Sequence, residues 1–195
     1  FDKRGVGKST GDYASATSRA FADDVLAGIE YLKTRKEIDS TKIGLIGHSE
    51  GGMISSVIAA ESTDVAFVIL MAGVVQADID GLVIQTAKQM KADGASQDLL
   101  DQDNKLRTQM LTIVNQSSSE ESKAKLEIIL QDYWNNLPEH LKLESEKVPF
   151  AITQAKIEGM VNVYNSPWYR YFIGCKPESF LSQIKIPMLA LYGDY

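Results

Sequence analysis

The pentapeptide Gly47-His48-Ser49-Glu50-Gly51 constrains the fold of this chain more than any other part of the sequence. The apolar segment 43–46 before it is typical of a buried strand, and the small-residue segment 52–60 after it is typical of a helix. We expect glycine at Gly47 and Gly51 because the neighbouring backbone and helix approach too closely there for a Cβ atom. The sequence therefore predicts a strand, a sharp turn and a helix, with the serine at the turn.

A serine in this context has the placement of a nucleophile in a strained, exposed turn. Ser49 is the candidate nucleophile. The backbone amide of Glu50 begins the following helix and is a candidate donor to an oxyanion. The alternative interpretation is a glycine–serine turn without chemistry.

Further apolar segments before and after the pentapeptide alternate with helical patterns. Segment 14–36 carries apolar residues at helical spacing, and segments 65–72 and 187–192 are continuous apolar runs like 43–46. Apolar runs that alternate with helices are typical of a parallel sheet covered by helices. We predict an α/β fold with a parallel sheet of about three strands.

A long, polar region of helical pattern separates the last two strands. We expect helices over about 78–92, 96–116, 119–136 and 147–164, a further helix start at Pro138-Glu139, and a short helix over 179–184. The predicted domains are a core of 1–73 and 184–195 and a largely helical cap insertion of 74–183. We expect this cap to lie over the carboxyl ends of the strands.

Aromatic residues are concentrated in the second half of the predicted cap. They are Tyr133, Trp134, Tyr164, Trp168, Tyr169, Tyr171 and Phe172. They could form an acyl or alcohol pocket over Ser49, or the cap's own core. A cap that closes over the serine would favour small or medium substrates over polymers.

The segment Gly5-Val6-Gly7-Lys8-Ser9-Thr10 is similar to a phosphate-binding loop but is incomplete. The full motif needs a glycine five residues before Gly7, where this chain has Asp2. It also needs a helix that starts at the Lys-Ser pair, whereas Gly11 and Asp12 favour a turn. We interpret the segment as a glycine-rich loop, with nucleotide binding as an alternative.

Composition excludes several classes of partner. The net charge is −6 and there is no long stripe of lysine or arginine, which argues against a nucleic-acid partner. No apolar run is long enough to cross a membrane. The single cysteine, Cys175, excludes an internal disulfide. We expect no metal and no cofactor.

Both ends of the sequence have the pattern of interrupted elements. The chain begins with Phe1 and a strand-to-loop pattern, and it ends at Tyr195 just after a strand. We therefore expect an internal fragment, so that either a cytoplasmic or a periplasmic location stays open. Missing neighbours would leave two sheet edges unpaired, and we expect a homodimer through such an edge.

Three stretches carry a family resemblance. Segment 2–9 resembles the loop after the fourth strand of α/β-hydrolases, and 43–52 resembles their fifth strand and nucleophile elbow. Segment 166–172, followed by 186–193, is similar to a late part of the dienelactone-hydrolase-like bacterial carboxylesterases, which have a helical cap. The resemblance covers nearly the whole chain, and the elbow is its specific part.

The resemblance implies a Ser-His-Asp hydrolase that cleaves carboxylic esters through an acyl-enzyme on Ser49. The implied acid follows the last strand, either at the position after Tyr195 or at Asp194, and the implied histidine lies beyond the chain. His48 is expected to pack beside the strand and His140 to lie on the surface. We therefore expect the 195 residues alone to be inactive.

Other functions of this fold stay open. Thioesterase, acyltransferase and peptidase activities use the same acyl-enzyme chemistry. A binding protein with this fold and without catalysis is a further alternative.

Overall fold

The computed structural model describes residues 2–74 and 77–193. The chain divides into two compact units. We call Phe1–Ala77 with Cys175–Tyr195 the sheet unit and Asp78–Gly174 the helical unit.

Among its described residues, the sheet unit has three strands: β1 (Gly44–His48), β2 (Phe67–Met71) and β3 (Met188–Leu191). Their order is β1-β2-β3, and both neighbouring pairs are parallel. Ile46 is aligned with Ile69, which is aligned in turn with Leu189. The predicted α/β class, with a three-stranded parallel sheet and a predominantly helical remainder, is confirmed.

Helices cover one face of this sheet. They are α1 (Ser18–Lys33), α2 (Glu50–Glu61) and the short α9 (Pro177–Leu181), which packs on α2. Val68 and Leu70 of β2 point toward this side and are buried with Ile58 of α2. Helix α1 begins later than the apolar pattern suggests, because the side chain of Thr17 accepts a hydrogen bond from the amide of Ala20 and so caps it.

The opposite face of the sheet is apolar and exposed. Successive residues of a strand point to opposite faces, so Phe67 and Met71 of β2 lie on the side away from α2. Ile46 of edge strand β1 is 67% exposed, and Leu189 and Leu191 of edge strand β3 are also exposed. Pairing of two chains through the edge strand β1 or β3 stays a prediction.

The helical unit contains the remaining helices of the described residues. They are α3 (Ile79–Ala92), α4 (Gln97–Gln116), α5 (Ser119–Asn136), α6 (Glu139–Ser145), α7 (Ile157–Tyr164) and α8 (Pro167–Gly174). The side chains of Asp78, Ser96 and Ser118 accept hydrogen bonds from the first turns of α3, α4 and α5. In residues 2–74 and 77–193, no helix has both the length and the apolar character needed to cross a membrane.

One helix prediction is wrong in part, and one helix was not predicted. The helix predicted over 147–164 begins only at Ile157, after a 3₁₀ turn at Gln154–Lys156. Pro149 explains the difference, since the residue before a proline is disfavoured in the helical region and Val148 holds that position. Helix α8 was not predicted, although Pro167 at its first position is a recognised start signal.

Helix α4 organises the interior of the helical unit. Met110 and Val114 pack in one buried cluster with α5 and α7, and Leu99 and Leu100 pack in a second with α6. Such clusters of interlocked aliphatic side chains supply most of the free energy that stabilises a helical domain.

A buried ion pair crosses this interior. Arg107 and Asp103 of α4 pair with each other and are almost inaccessible to solvent. Arg107 also donates to the carbonyl of Phe150 at 2.5 Å and to the hydroxyl of Tyr164 at 3.0 Å. Burial raises the pKa of Asp103 above its ordinary value, and the neighbouring guanidinium opposes that rise.

Candidate active site

Ser49 lies in a strained backbone conformation between β1 and α2. Its φ is 53° and its ψ is −120°, a combination that residues with a side chain rarely adopt. Such a conformation costs on the order of 1–3 kcal/mol and persists only where the surroundings impose it. The amide of Ser49 donates to the carbonyl of Met71 at 3.1 Å, which ties the turn to the end of β2.

The side chain of Ser49 is exposed and does not cap the helix that follows it. A serine immediately before a helix usually accepts a hydrogen bond from the first turn. Here the backbone directs the hydroxyl elsewhere, so it stays accessible for reaction. This geometry is the one that a nucleophile elbow requires.

Close backbone contacts hold the turn in place. A Cβ atom on Gly47 would lie 2.1 Å from the carbonyl oxygen of Gly51, so glycine is required at Gly47 as expected. The same expectation is wrong for Gly51, where a Cβ atom would meet nothing within 4 Å. The clash is one-sided because the chain of α2 passes over the Cα of Gly47, whereas Gly51 itself faces open space.

A second glycine contact was not anticipated from the sequence. A Cβ atom on Gly52 would lie 2.6 Å from the Cα of Gly73, just after β2. The sequence shows a glycine at Gly52, but no neighbouring residue indicates that Gly73 packs against it. This contact brings the first turn of α2 onto the end of β2.

The peptide between Ser49 and Glu50 is fixed through its carbonyl group. The carbonyl oxygen of Ser49 accepts hydrogen bonds from the amides of Gly52 at 2.9 Å and Val74 at 3.3 Å. A peptide group is planar and trans, so its N–H points away from its C=O. The direction of the Glu50 N–H is therefore set by these two bonds.

The segment after β2 completes this support. Ala72 has a φ of 44°, in the left-handed region that favours glycine. The hydroxyl of Tyr192, which follows β3, donates to the carbonyl of Gly73 at 3.2 Å. The turn around Ser49 is thus tied to the ends of both β2 and β3.

The side chain of Glu50 is also held. Its carboxylate accepts a hydrogen bond of 2.7 Å from the hydroxyl of Ser18, the first residue of α1. No sequence pattern indicates this contact, because the two residues lie far apart along the chain.

The remaining candidate residues stand apart from the serine. His48 at the end of β1 and His140 in α6 are both exposed. Within residues 2–74 and 77–193, no histidine forms a hydrogen bond with Ser49. Asp194, the alternative candidate for the acid, lies outside the described residues.

In the glycine-rich loop near the N-terminus, the side-chain carboxylate of Asp2 lies where a bound phosphate would be expected. The amide of Lys8 donates to the carboxylate of Asp2 at 3.0 Å, and a Cβ atom on Gly7 would lie 2.4 Å from that carboxylate. No helix follows until α1 begins at Ser18. A phosphate would have to displace Asp2, which argues against the nucleotide-binding alternative.

Most of the aromatic side chains belong to the core of the helical unit. Tyr133, Trp134, Tyr164 and Tyr169 pack in or against its largest buried cluster. The rings of Tyr164 and Tyr169 lie 4.5 Å apart, and burial raises the pKa of Tyr169 strongly. These contacts favour the interpretation of the aromatics as core. In the described part of the chain, His, Cys, Asp and Glu side chains form no group of three suited to a metal ion.

A protein-family model matches the sequence. It is described as "BAAT / Acyl-CoA thioester hydrolase C terminal", and it matches residues 26–155, which is more than half of the chain. The matched segment includes β1, Ser49, α2 and β2 and continues into the helical unit. No curated protein matches the sequence. The match supports the α/β-hydrolase resemblance but does not single out its carboxylesterase branch. The chain therefore belongs to the BAAT/acyl-CoA thioester hydrolase C-terminal family, which is related to the α/β-hydrolases.

Proposed function

We propose that this protein is a hydrolase that cleaves acyl thioesters, and related carboxylic esters, through an acyl-enzyme on Ser49. The observation that carries the proposal is the backbone of Ser49, which is held at a φ of 53° with its hydroxyl exposed at the start of α2. The family match supplies the class of substrate, since its description names acyl-CoA thioester hydrolases.

The first half of the reaction follows from the groups around the turn. The Oγ of Ser49 attacks the carbonyl carbon of the thioester and gives its proton to a general base. The carbonyl oxygen becomes an oxyanion, which the N–H of Glu50 stabilises. The tetrahedral intermediate then collapses, the carbon–sulfur bond breaks, and the sulfur leaves with a proton returned by the base.

The second half regenerates the serine. A water molecule attacks the acyl-Ser49 ester while the base takes a proton from the water. A second oxyanion forms in the same place, and its collapse releases the carboxylic acid and returns the proton to Ser49. Each tetrahedral intermediate along this route places its oxyanion at the same amide, so one well-oriented N–H serves both halves.

The base is the part of the machinery that we place outside these 195 residues. The chain has two histidines, and neither forms a hydrogen bond with Ser49 in the described residues. We propose that a histidine elsewhere in the full-length protein acts as the base, and that Asp194 or a residue after Tyr195 orients it. Because a serine without a base reacts slowly, we expect the 195 residues alone to show no useful turnover.

Two substrate classes are distinguished by the leaving group. A thiolate is a better leaving group than an alkoxide, so thioester cleavage depends less on protonation of the departing atom. The carboxylesterase resemblance favours oxygen esters, whereas the family description favours thioesters. We propose thioesters as the primary class.

The proposal is tested in the full-length protein with Ser49→Ala. We expect the variant to lose labelling by a fluorophosphonate and to lose turnover by about 10⁵-fold or more, the order seen when a nucleophilic serine is removed. Thiol release from a series of acyl-CoA thioesters and p-nitrophenol release from acyl esters of equal length are compared by kcat/KM. Ser56→Ala, which removes a serine hydroxyl within α2, serves as the control.

The outcomes separate the alternatives. Unchanged turnover in Ser49→Ala contradicts the proposal as a whole. If the parent protein hydrolyses esters but not thioesters, and Ser49→Ala loses the ester activity, the thioester assignment is wrong. The function is then that of a carboxylesterase. Absence of both labelling and turnover in the full-length protein indicates a non-catalytic binding protein.

A further inference from the structure

We infer that Ser18 is a positioning residue for the oxyanion donor, acting through the side chain of Glu50. This inference rests on the proposed function and deepens it. Its basis is the 2.7 Å hydrogen bond from the Ser18 hydroxyl to the Glu50 carboxylate. Ser18 is 3% exposed, so the bond is shielded from competition by water.

The need for such a contact arises from the start of α2. Helix ends leave backbone groups without partners inside the helix, and a capping side chain normally satisfies one of them and limits fraying. At α2 the capping position is occupied by Ser49, whose side chain makes no capping bond. A nucleophile cannot also serve as the cap, so the first turn of α2 is held by other contacts.

Glu50 is held on two sides. Its peptide N–H is oriented by the bonds that the Ser49 carbonyl accepts from Gly52 and Val74. Its side chain is tied to Ser18 on a separate helix. Together these contacts fix both the plane of the Ser49–Glu50 peptide and the position of the Glu50 Cα, which limits rotation of the N–H away from a reacting oxygen.

The hydrogen bond also sets where the charge of Glu50 lies. A free carboxylate close to the oxyanion would oppose the negative charge that develops there. Ser18 directs the carboxylate to the first turn of α1, which has no acidic residue of its own. The N-terminus of a helix carries a partial positive charge, so the carboxylate is favoured in that position.

Helix α1 is a firm support for this contact. Arg4 pairs with Asp24 at 2.7 Å and donates to the carbonyl of Ala20 at 2.9 Å. At the other side, Arg19 pairs with Glu61 at the end of α2 at 2.5 Å. The first turn of α1 is therefore attached both to the N-terminal loop and to the helix that it positions.

The test is the kinetics of Ser18→Ala in the full-length enzyme. We expect kcat and the rate of fluorophosphonate labelling to fall about tenfold, less than the 10²–10³-fold known for deletion of an oxyanion donor, with KM within about twofold of the parent. Ser18→Thr keeps a hydroxyl and should restore most of the loss.

The matched control is Ser56→Ala. Ser56 is also a buried serine, and its hydroxyl donates at 2.9 Å to the carbonyl of Gly52 in the helix backbone. We expect it to leave kcat within about twofold of the parent, and the melting temperatures of both variants are measured beside kcat. This control separates loss of stability from loss of positioning.

A second variant keeps the inference testable if Ser18→Ala folds poorly. Glu50→Ala removes the same hydrogen bond from the other partner, and adding Ser18→Ala to it should cause little further loss of kcat. Equal kcat losses in Ser18→Ala and Ser56→Ala, or additive losses in the double variant, would overturn the inference. Those results would leave the proposed function standing, provided that Ser49→Ala remains inactive.

Discussion

Backbone contacts hold the candidate site in the sheet unit, whereas side-chain contacts stabilise the helical unit. In the sheet unit, the turn at Ser49 depends on backbone contacts, with Gly47 against Gly51 and Gly52 against Gly73. In the helical unit, the decisive contacts are made by side chains, above all in the aliphatic clusters around α4. The turn that carries the candidate nucleophile therefore leaves no space for a Cβ atom at Gly47 or Gly52.

This difference indicates where each unit can accept change. At Gly47 and Gly52 an added Cβ atom would lie within 3.0 Å of backbone atoms, which leaves no room for rearrangement. Aliphatic cores, in contrast, accept substitutions that conserve volume. The exception in the helical unit is its buried ion pair, where charge rather than volume sets the requirement. Three substitutions test the contrast.

The largest effect is expected from Arg107→Met. The substitution leaves the carboxylate of Asp103 buried without its partner, and removing one member of a buried pair costs about 3–5 kcal/mol. Urea unfolding should report a loss of that order. Lys42→Met, which breaks the exposed pair with Asp39, is the control and should cost less than about 1 kcal/mol. A similar small loss for both variants would contradict the importance of the buried pair.

A smaller effect is expected from Gly47→Ala. Its methyl group would lie against the backbone of Gly51, and overpacking of this kind costs about 1–3 kcal/mol. Gly51→Ala is the matched control: it adds the same methyl group to open space in α2, and it should be neutral or stabilising by up to about 1 kcal/mol. Urea unfolding of the two variants measures both changes. Equal destabilisation by the two would show that the turn is not held by the contact at Gly47.

The smallest effect is expected in the pH dependence of stability, at the N-terminal cap of α5. The backbone amide of Ser118 donates to Glu121, and this bond holds the pKa of Glu121 below its ordinary value. A lowered pKa in the folded state contributes stability above about pH 4.3, which is lost as the pH falls through the lowered value. Glu121→Gln should therefore lose less stability than the parent between about pH 5 and 3, as measured by urea unfolding across that range. Glu120→Gln removes a carboxylate from the same turn but leaves the hydrogen bonds between Ser118 and Glu121 in place, and it serves as the control.

The sequence was informative where structure depends on local pattern. The turn at Ser49, the parallel strands and the starts of α4 and α5 all follow from neighbouring residues, because apolar periodicity and capping side chains act within one or two turns. The conformation of Ser49 itself belongs to this class, since the glycine spacing and the flanking elements define the turn.

The contacts that the sequence did not reveal join distant residues. Ser18 and Glu50, Gly52 and Gly73, and Arg107 with Phe150 meet only after the elements pack. No local signal marks such partners, since serine, glycine and arginine are common on surfaces as well as inside. The break in the helix predicted over 147–164 differs, because Pro149 was visible and its effect on Val148 could have been recognised.

The pairing of β2 with β3 has a consequence for the order of folding. Val68 and Met188 are neighbours in the sheet, yet the whole helical unit lies between them in the chain. Contacts of such long sequence separation form slowly, because the entropy of closing the loop is lost before the contact is gained. We expect the local helices of Asp78–Gly174 to form first and β3 to join the sheet last. The support that Tyr192 gives to the serine turn would then be one of the final features to form.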